Sequence, residues 1–215
     1  MIRVALIEEM RVLRDAVASM LDQHPGLVVV GKAGSAAEAI PLAEETSPDV
    51  IVMDAALGDR HGVVVADEVR RRWPGTRILL LLAQVKPGVV REALMVGVDG
   101  LLPMAVSMRE VIAAITEVHE GKRVLDPDMV AAALEIGDNP LSPRERTVLR
   151  LIADGDAPGV IGRSLHLAEG TVRNHITRAI GKLAARNVMD AVRIADRMGW
   201  LEYESGLLGP EREVA

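Results

Sequence analysis

Between Leu165 and Leu183 the chain sets hydrogen-bonding and cationic side chains against apolar ones at helical spacing. Thr171, Arg173, Asn174, Arg178 and Lys182 fall on one face, and Val172, Ile176, Ile180 and Leu183 on the other. Guanidinium, amide and hydroxyl groups presented together from one helix face can donate to base edges in a major groove and to phosphate oxygens. The residues just before, Leu165 to Gly170, read as the end of a short helix and a tight turn, so the spacing predicts a helix-turn-helix. Arg173 and Asn174 are expected to reach base edges, Thr171 and Arg178 phosphates, and Lys182 the backbone further along. His175 is left between a backbone contact, a base reader and a helix-surface residue. No residues here have the arrangement of a catalytic triad or a metal cluster.

A four-helix module is expected around that segment. Ser142-Pro143-Arg144-Glu145 has the pattern of a capping box with proline at the first helical position. Val148, Leu149, Leu151 and Ile152 form the buried side of the helix it opens, and Gly155 ends it. Further helices are expected over 158–165, 169–185 and about 188–198. Upstream, apolar runs alternate with helical stripes. Arg3–Ile7, Leu27–Gly31, Val50–Asp54, Ile78–Leu82 and the short Leu101-Leu102 read as five strands. Helices follow near Leu13–Leu21, Ala36–Glu45, Val63–Arg72, Val89–Val96 and Met108–His119. This alternation predicts a parallel five-stranded sheet covered on both faces, an α/β flavodoxin-like (βα)5 domain, followed by the all-α module. Its working site should lie outside the carboxyl ends of the strands, where Glu8, Glu9, Asp54, Leu82 and Met104 fall.

Composition narrows the function. The 215 residues contain no Cys, which excludes disulfides and thiolate chemistry, and no Phe, so the core must be aliphatic. The net charge of −6 is unevenly spread. Residues 1–140 carry 14 Lys and Arg against 21 Asp and Glu, whereas residues 141–201 carry 10 against 6. An acidic front and a basic back imply separate tasks, the back suited to phosphate. No apolar run approaches the ~20 residues that span a bilayer, and a cytoplasmic protein without membrane contact is expected. An enzyme on the front domain is disfavoured by the lack of a Gly-rich phosphate loop or a nucleophile–base pair. A pure interaction protein that has lost DNA binding has only Pro158-Gly159 in its favour.

With these segments in view, the chain resembles the NarL/FixJ class of two-component response regulators, a receiver domain followed by a LuxR-type helix-turn-helix. The resemblance is carried by Leu141–Glu145 with Val148-Leu149, by Glu169–His175, and by Lys182-Leu183, Ala191 and Gly199-Trp200-Leu201. The layout, including Arg77–Gly88 and Gly121-Lys122-Arg123, is similar to that of lipid-desaturase regulators. The resemblance implies a receiver over 1–122, a linker with a helix over 123–140, the DNA-binding domain over 141–201 and a disordered tail over 202–215. It implies Asp54 as phosphoacceptor from a histidine kinase, with Glu8, Glu9 and Asp54 as a weak or altered magnesium site. Carboxylates suit a hard cation, but Glu in place of Asp adds a methylene to a metal that tolerates geometry poorly. No cofactor is expected to be required.

Two departures stand out. The family's hydroxyl residue ending the fourth strand falls on Leu82, and its Lys after the fifth strand falls on Met104. No Lys lies between Lys86 and Lys122, and no Ser or Thr between Ile78 and Met104, so a shifted register restores neither. Each lost charge-assisted bond removes roughly 1.5–3 kcal/mol of preference for a phosphorylated arrangement. A two-state switch needs about 5.5 kcal/mol to swing fully. The expectation is therefore a DNA-binding transcriptional regulator with a degenerate receiver, phosphorylation-independent or weakly responsive. The alternative is a conventional regulator activated at Asp54. Asp54 is expected either to be a tolerated strand-end acid or to pair with Arg60 or Arg11. Leu82 and Met104 are expected to close the old phosphate pocket rather than form a ligand site. A homodimer on a palindromic operator is implied, through Val188, Ala191 and Val192 and through the first and fifth helices of the receiver. In the helix before the turn, Pro158-Gly159-Val160 replaces the family's common Asn-Lys-Glu, and Gly162 adds a helix-weakening residue.

Overall fold

The computed structural model describes residues 1–58 and 60–202. They divide into two compact units, one of Met1–Val85 with Val90–Leu134, the other from Glu135 onward with the short segment Lys86–Val89.

In the first unit, strands β1 (Ile2–Ile7), β2 (Leu27–Ala33), β3 (Val50–Asp54), β4 (Arg77–Leu82) and β5 (Gly100–Pro103) alternate with helices α1 (Arg11–Asp22), α2 (Ala36–Thr46), α3 (Gly62–Arg72), α4 (Pro87–Val96) and α5 (Met108–His119). A sixth strand, β6 (Val124–Leu125), and helix α6 (Pro127–Glu135) follow. The sheet is parallel, in the order β2-β1-β3-β4-β5-β6. The expected count of five strands is thus corrected to six. Val124 and Leu125 pair with Gly100 and Leu101, and two residues carry too little local pattern to announce a strand. The compact unit runs to Leu134, past residue 122, because the expected linker supplies both this strand and α6, which buries Met129 and Ala133.

Period-2 alternation cannot be seen in strands that are apolar throughout, and the structure shows why they are so. Val4, Leu6, Val50, Val52 and Leu79 pack with Ala18 and Leu21 of α1 and with Val111, Ile115 and Val118 of α5. Ile51 and Met53, which alternate with Val50 and Val52, are also fully buried. Both faces of the sheet are therefore covered, as a parallel sheet with crossover helices requires.

The second unit contains α7 (Pro143–Ala153), α8 (Pro158–Leu165), α9 (Glu169–Lys182) and α10 (Val188–Arg197). The Ser142–Glu145 capping box forms in both directions and starts α7. Leu149, Ala179, Ala191 and Ala195 make one core cluster, and Val148, Ile161 and Val172 a second. Gly162 has a structural task. A Cβ there would lie 2.7 Å from the Leu167 carbonyl oxygen, and the Leu167 N–H donates to the Gly162 carbonyl at 2.8 Å. The α8–α9 turn can close this tightly because α8 lacks a side chain at that point. The expected disorder of the tail concerns residues that, from 203 on, lie outside those described.

Candidate nucleic-acid interface and the acidic end of the sheet

The recognition segment is built as its periodicity demands. Val172 and Ala179 of α9 are fully buried, while Thr171, Arg173, Asn174, Arg178 and Lys182 are exposed and His175 half-buried. The polar face is not uniformly free, however. Arg173 donates from Nε (3.2 Å) and Nη2 (2.6 Å) to Oε1 of Glu169, one turn earlier. Lys182 donates to Oε2 of Glu145 at 2.7 Å. Arg178 has no ion pair among the described residues.

Lys182, expected at the DNA backbone, is here engaged by a buried acid. Glu145 is only 3% exposed, and its Oε2 also accepts the Ser142 N–H at 2.7 Å. Burial alone would raise this carboxyl's proton affinity. The Lys182 ammonium and the capping bonds from Ser142 outweigh it and hold the carboxyl below its usual range. Lys182 thus ties the end of α9 to the start of α7. Glu145 and Glu169 were both missed as partners. The i,i+4 spacing of Glu169 and Arg173 was a readable signal, whereas Glu145 and Lys182 are joined only by the fold.

The expected dimer residues face the core of their own unit. Ala191 is fully buried and Val192 nearly so, both in their own unit's core with Val188 packed against it. What α10 leaves exposed is Met189, at 60%, beside Arg193, whose Nη2 donates to Asp190 at 2.6 Å. An open groove lined by Arg186, Met189 and Arg193 lies along this side. In sequence the two faces of a short helix both carried apolar residues, and packing alone chose between them.

At the carboxyl end of the sheet, Asp54 ends β3 and stands next to Leu81 in the register with β4. Its Oδ1 accepts the Ala56 N–H at 2.9 Å. The loop returns closely, with Gly62 N–H donating to the Ala55 carbonyl at 2.8 Å, and a Cβ on Gly62 would overlap the Asp54 carbonyl oxygen. Neither expected arginine pairs with Asp54. Arg60 donates to Glu68 at 3.0 Å, and Arg11 lies 3.9 Å from Asp15. Burial, reinforced by the neighbouring charges of Glu8 and Glu9, pushes the Asp54 carboxyl up to about 6, against the single lowering bond from Ala56.

Glu8 and Glu9 are near enough to act on Asp54 electrostatically, but they do not converge with it. Glu8 is buried, and its Oε1 accepts the Met10 N–H at 2.8 Å. Glu9 accepts the Gly58 N–H at 3.0 Å and leans on that glycine. Among the described residues no group of three His, Cys, Asp or Glu is gathered to hold a metal ion. The expected Glu8, Glu9 and Asp54 set is not gathered for magnesium as arranged, because Glu8 and Asp54 each accept an amide of their own loop and Glu9 reaches across to the Gly58 amide in the loop after β3. Leu82, 2% exposed, ends β4 opposite Pro103, and its carbonyl accepts the Met104 N–H at 2.9 Å. The two departures thus sit next to each other at the ends of β4 and β5, Leu82 buried on the strand beside Asp54's and Met104 half-buried one strand further.

A parallel sheet with a conspicuous acid at its carboxyl end, followed by a helix-turn-helix unit, defines a two-part regulator, and comparison with known proteins agrees. Residues 4–116 match the response regulator receiver domain, and residues 139–195 match the bacterial regulatory proteins of the luxR family. The chain belongs to the response regulators with a luxR-type DNA-binding domain. It is a transcriptional regulator and not an enzyme. It is 34% identical over 201 residues to the uncharacterized transcriptional regulatory protein YvfU of Bacillus subtilis, covering 94% of this chain and 100% of that one. It is 32% identical over 202 residues to the transcriptional regulatory protein DesR of the same organism, with the same coverage. In fold it is similar to RcsB of Salmonella enterica serovar Typhimurium bound to promoter rprA in the presence of a phosphomimetic. That likeness has a TM-score of 0.63 at 20% identity and covers 91% of this chain and 98% of that one. No helix among the described residues is long and apolar enough to cross a membrane.

Proposed function

We propose that this chain is a sequence-specific DNA-binding transcriptional regulator whose receiver responds weakly, or not at all, to phosphorylation. The observation that carries the proposal is the pair Leu82 and Met104 at the ends of β4 and β5, beside an Asp54 that has no cation to lower its proton affinity. A phosphoryl group on Asp54 would add negative charge close to Glu8 and Glu9. Neither a hydroxyl at 82 nor an ammonium at 104 is there to receive it. The structural change that such contacts drive in a two-state receiver would then lack its energy source. No step is assigned to a metal.

Duplex DNA is the partner, entered by α9. Arg173 and Asn174 read base edges, while Thr171 and Arg178 anchor to phosphates, with His175 between the two roles. Lys182 is a structural tie. A homodimer on a palindromic operator is supported by two exposed apolar patches, Met189 on α10, and Val12 and Met20 on α1. The second reading, a conventional regulator driven by a histidine kinase, is favoured by the strand-end position of Asp54 and by the family itself.

Fluorescence anisotropy tests the proposal on a duplex selected by the full-length protein from a random-sequence library. Wild type and Asp54→Ala are compared with and without acetyl phosphate and magnesium, with intact mass read in parallel. Equal binding in all arms, with or without an adduct, is the expected result. Much tighter binding by wild type alone, together with one added phosphoryl group, establishes the conventional switch.

A further inference from the structure

Glu169 opens α9 as its first helical residue, and the two oxygens of its carboxylate face different ways. Oε1 accepts both bonds from Arg173, from Nε and Nη2. Oε2 lies against the first turn of α8, where a Cβ on Gly159 would be 3.3 Å away. Position 159 has no side chain, so the carboxylate can lean into that turn, toward the unfilled N–H groups and partial positive charge of a helix start. Ala157, the cap residue, offers no side chain to compete. Glu169 thus rests against α8 on one side and holds Arg173 on the other.

The bonding pattern on the guanidinium matters. Arginine has five N–H donors in a planar fork. The edge formed by Nε and one Nη2 hydrogen is taken by Glu169. The end-on edge, formed by Nη1 and the other Nη2 hydrogen, is left over on an exposed side chain. A bidentate pair to guanine O6 and N7 needs two such parallel donors. A free arginine on a helix surface would also be drawn to any phosphate. One whose charge is half-answered by a carboxylate is drawn less.

Given α9 as the DNA-reading helix, on which this assignment rests, the geometry points to Glu169 as a positioning residue that sets sequence discrimination. It presents Arg173 end-on to a guanine, and its charge suppresses phosphate binding to unrelated DNA. Gly159 then contributes to specificity by admitting the Glu169 carboxylate.

The experiment uses the full-length protein and a fluorescein-labelled duplex selected by wild type from a random library. Companions are a scrambled duplex and a set in which each G·C pair is replaced by A·T. Wild type is expected to lose roughly 5- to 150-fold in affinity at one G·C pair, the one read by Arg173. Glu169→Ala should bind the scrambled duplex several-fold more tightly and lose about 3- to 10-fold of the discrimination at that pair. In the Arg173→Ala background the same change should leave discrimination at that pair untouched, because Glu169 acts through Arg173. Glu169→Gln, which keeps an accepting oxygen but not the charge, should gain affinity for scrambled DNA while keeping most of the discrimination. Unchanged discrimination in Glu169→Ala, or a loss that persists without Arg173, overturns the assignment while leaving DNA reading intact. Failure of wild type to select any sequence overturns DNA reading itself, and the assignment with it.

Discussion

Asp54 and Glu145 are both carboxylates drawn out of water, one at the carboxyl end of the receiver sheet and one at the start of the DNA-binding unit, and they have opposite fates. Glu145 is nearly inaccessible, yet its carboxyl is held below its usual range because Lys182 and the Ser142 amide answer its charge. Asp54 is only half-buried, yet burial pushes its carboxyl up to about 6, because a single amide opposes the shift and two further acids add to it. Burial by itself is not the deciding quantity. The presence of a partner cation is, and no cation among the described residues acts on Asp54.

The difference can be attacked first from its stronger side. Lys182→Met leaves Glu145 buried without its cation and should lower the stability of the helical unit by about 2–3 kcal/mol, somewhat less than a fully buried pair because the lysine is partly solvated. Differential scanning calorimetry of the full chain reads this, and Glu145→Gln combined with Lys182→Met should recover part of the loss. The same substitution should barely alter the salt dependence of DNA binding. Arg178→Ala, by contrast, should weaken all sequences alike and reduce the salt slope by about 1. A large change in slope for Lys182→Met would mean that this lysine leaves Glu145 for phosphate.

Supplying the receiver with what it lacks attacks the weaker side. Leu82→Thr with Met104→Lys should confer a dependence of DNA binding on acetyl phosphate of about tenfold, near 1.4 kcal/mol. No gain in a protein that still folds by circular dichroism would mean that a hydroxyl at 82 and an ammonium at 104 are not enough to couple phosphorylation to DNA binding.

The smallest effect concerns Asp54 itself. Its ionisation is disfavoured in the folded state, so Asp54→Asn should stabilise the receiver at pH 7 by about 1 kcal/mol. The full shift is discounted here because the group is half-exposed. Urea unfolding in chelator-treated buffer measures it. The pH trends of the two acids run apart. The folded receiver binds the Asp54 proton more tightly than the unfolded chain does, so this group adds stability as pH falls from about 6 toward the ordinary 3.8. The lowered Glu145 carboxyl contributes fully above the ordinary 4.5 and loses its contribution as pH falls below it. Between pH 6 and 4.5 the receiver transition should therefore rise in wild type relative to Asp54→Asn, while the Glu145 pair holds steady. A receiver transition that ignores Asp54→Asn across this range would show that its charge is answered in solution.

Much of the molecule was legible because its causes are local. The α7 capping box lies within four residues, and the buried stripe of α9 follows from a 3.6-residue period. The apolar strands and their trailing acids announced a doubly covered parallel sheet. Leu82 and Met104 stood out against the pattern of the family the chain resembles, with no Lys or hydroxyl nearby in sequence to take their place. Other features depend on atoms far apart in sequence. β6 exists because Val124 and Leu125 meet the edge of β5. Val188, Ala191 and Val192 turned inward because the core had room for them and left Met189 outside. Lys182 ties α9 to α7 because Glu145, 37 residues earlier, is buried where the lysine can reach it. Glu8, Glu9 and Asp54 were brought near one another, but loop amides decided where their oxygens point. Residue type and spacing determine which groups are available and which face of an element is apolar. Only tertiary packing determines which partner each buried polar group finds, because satisfying such a group is a property of the completed interior and not of the segment that carries it.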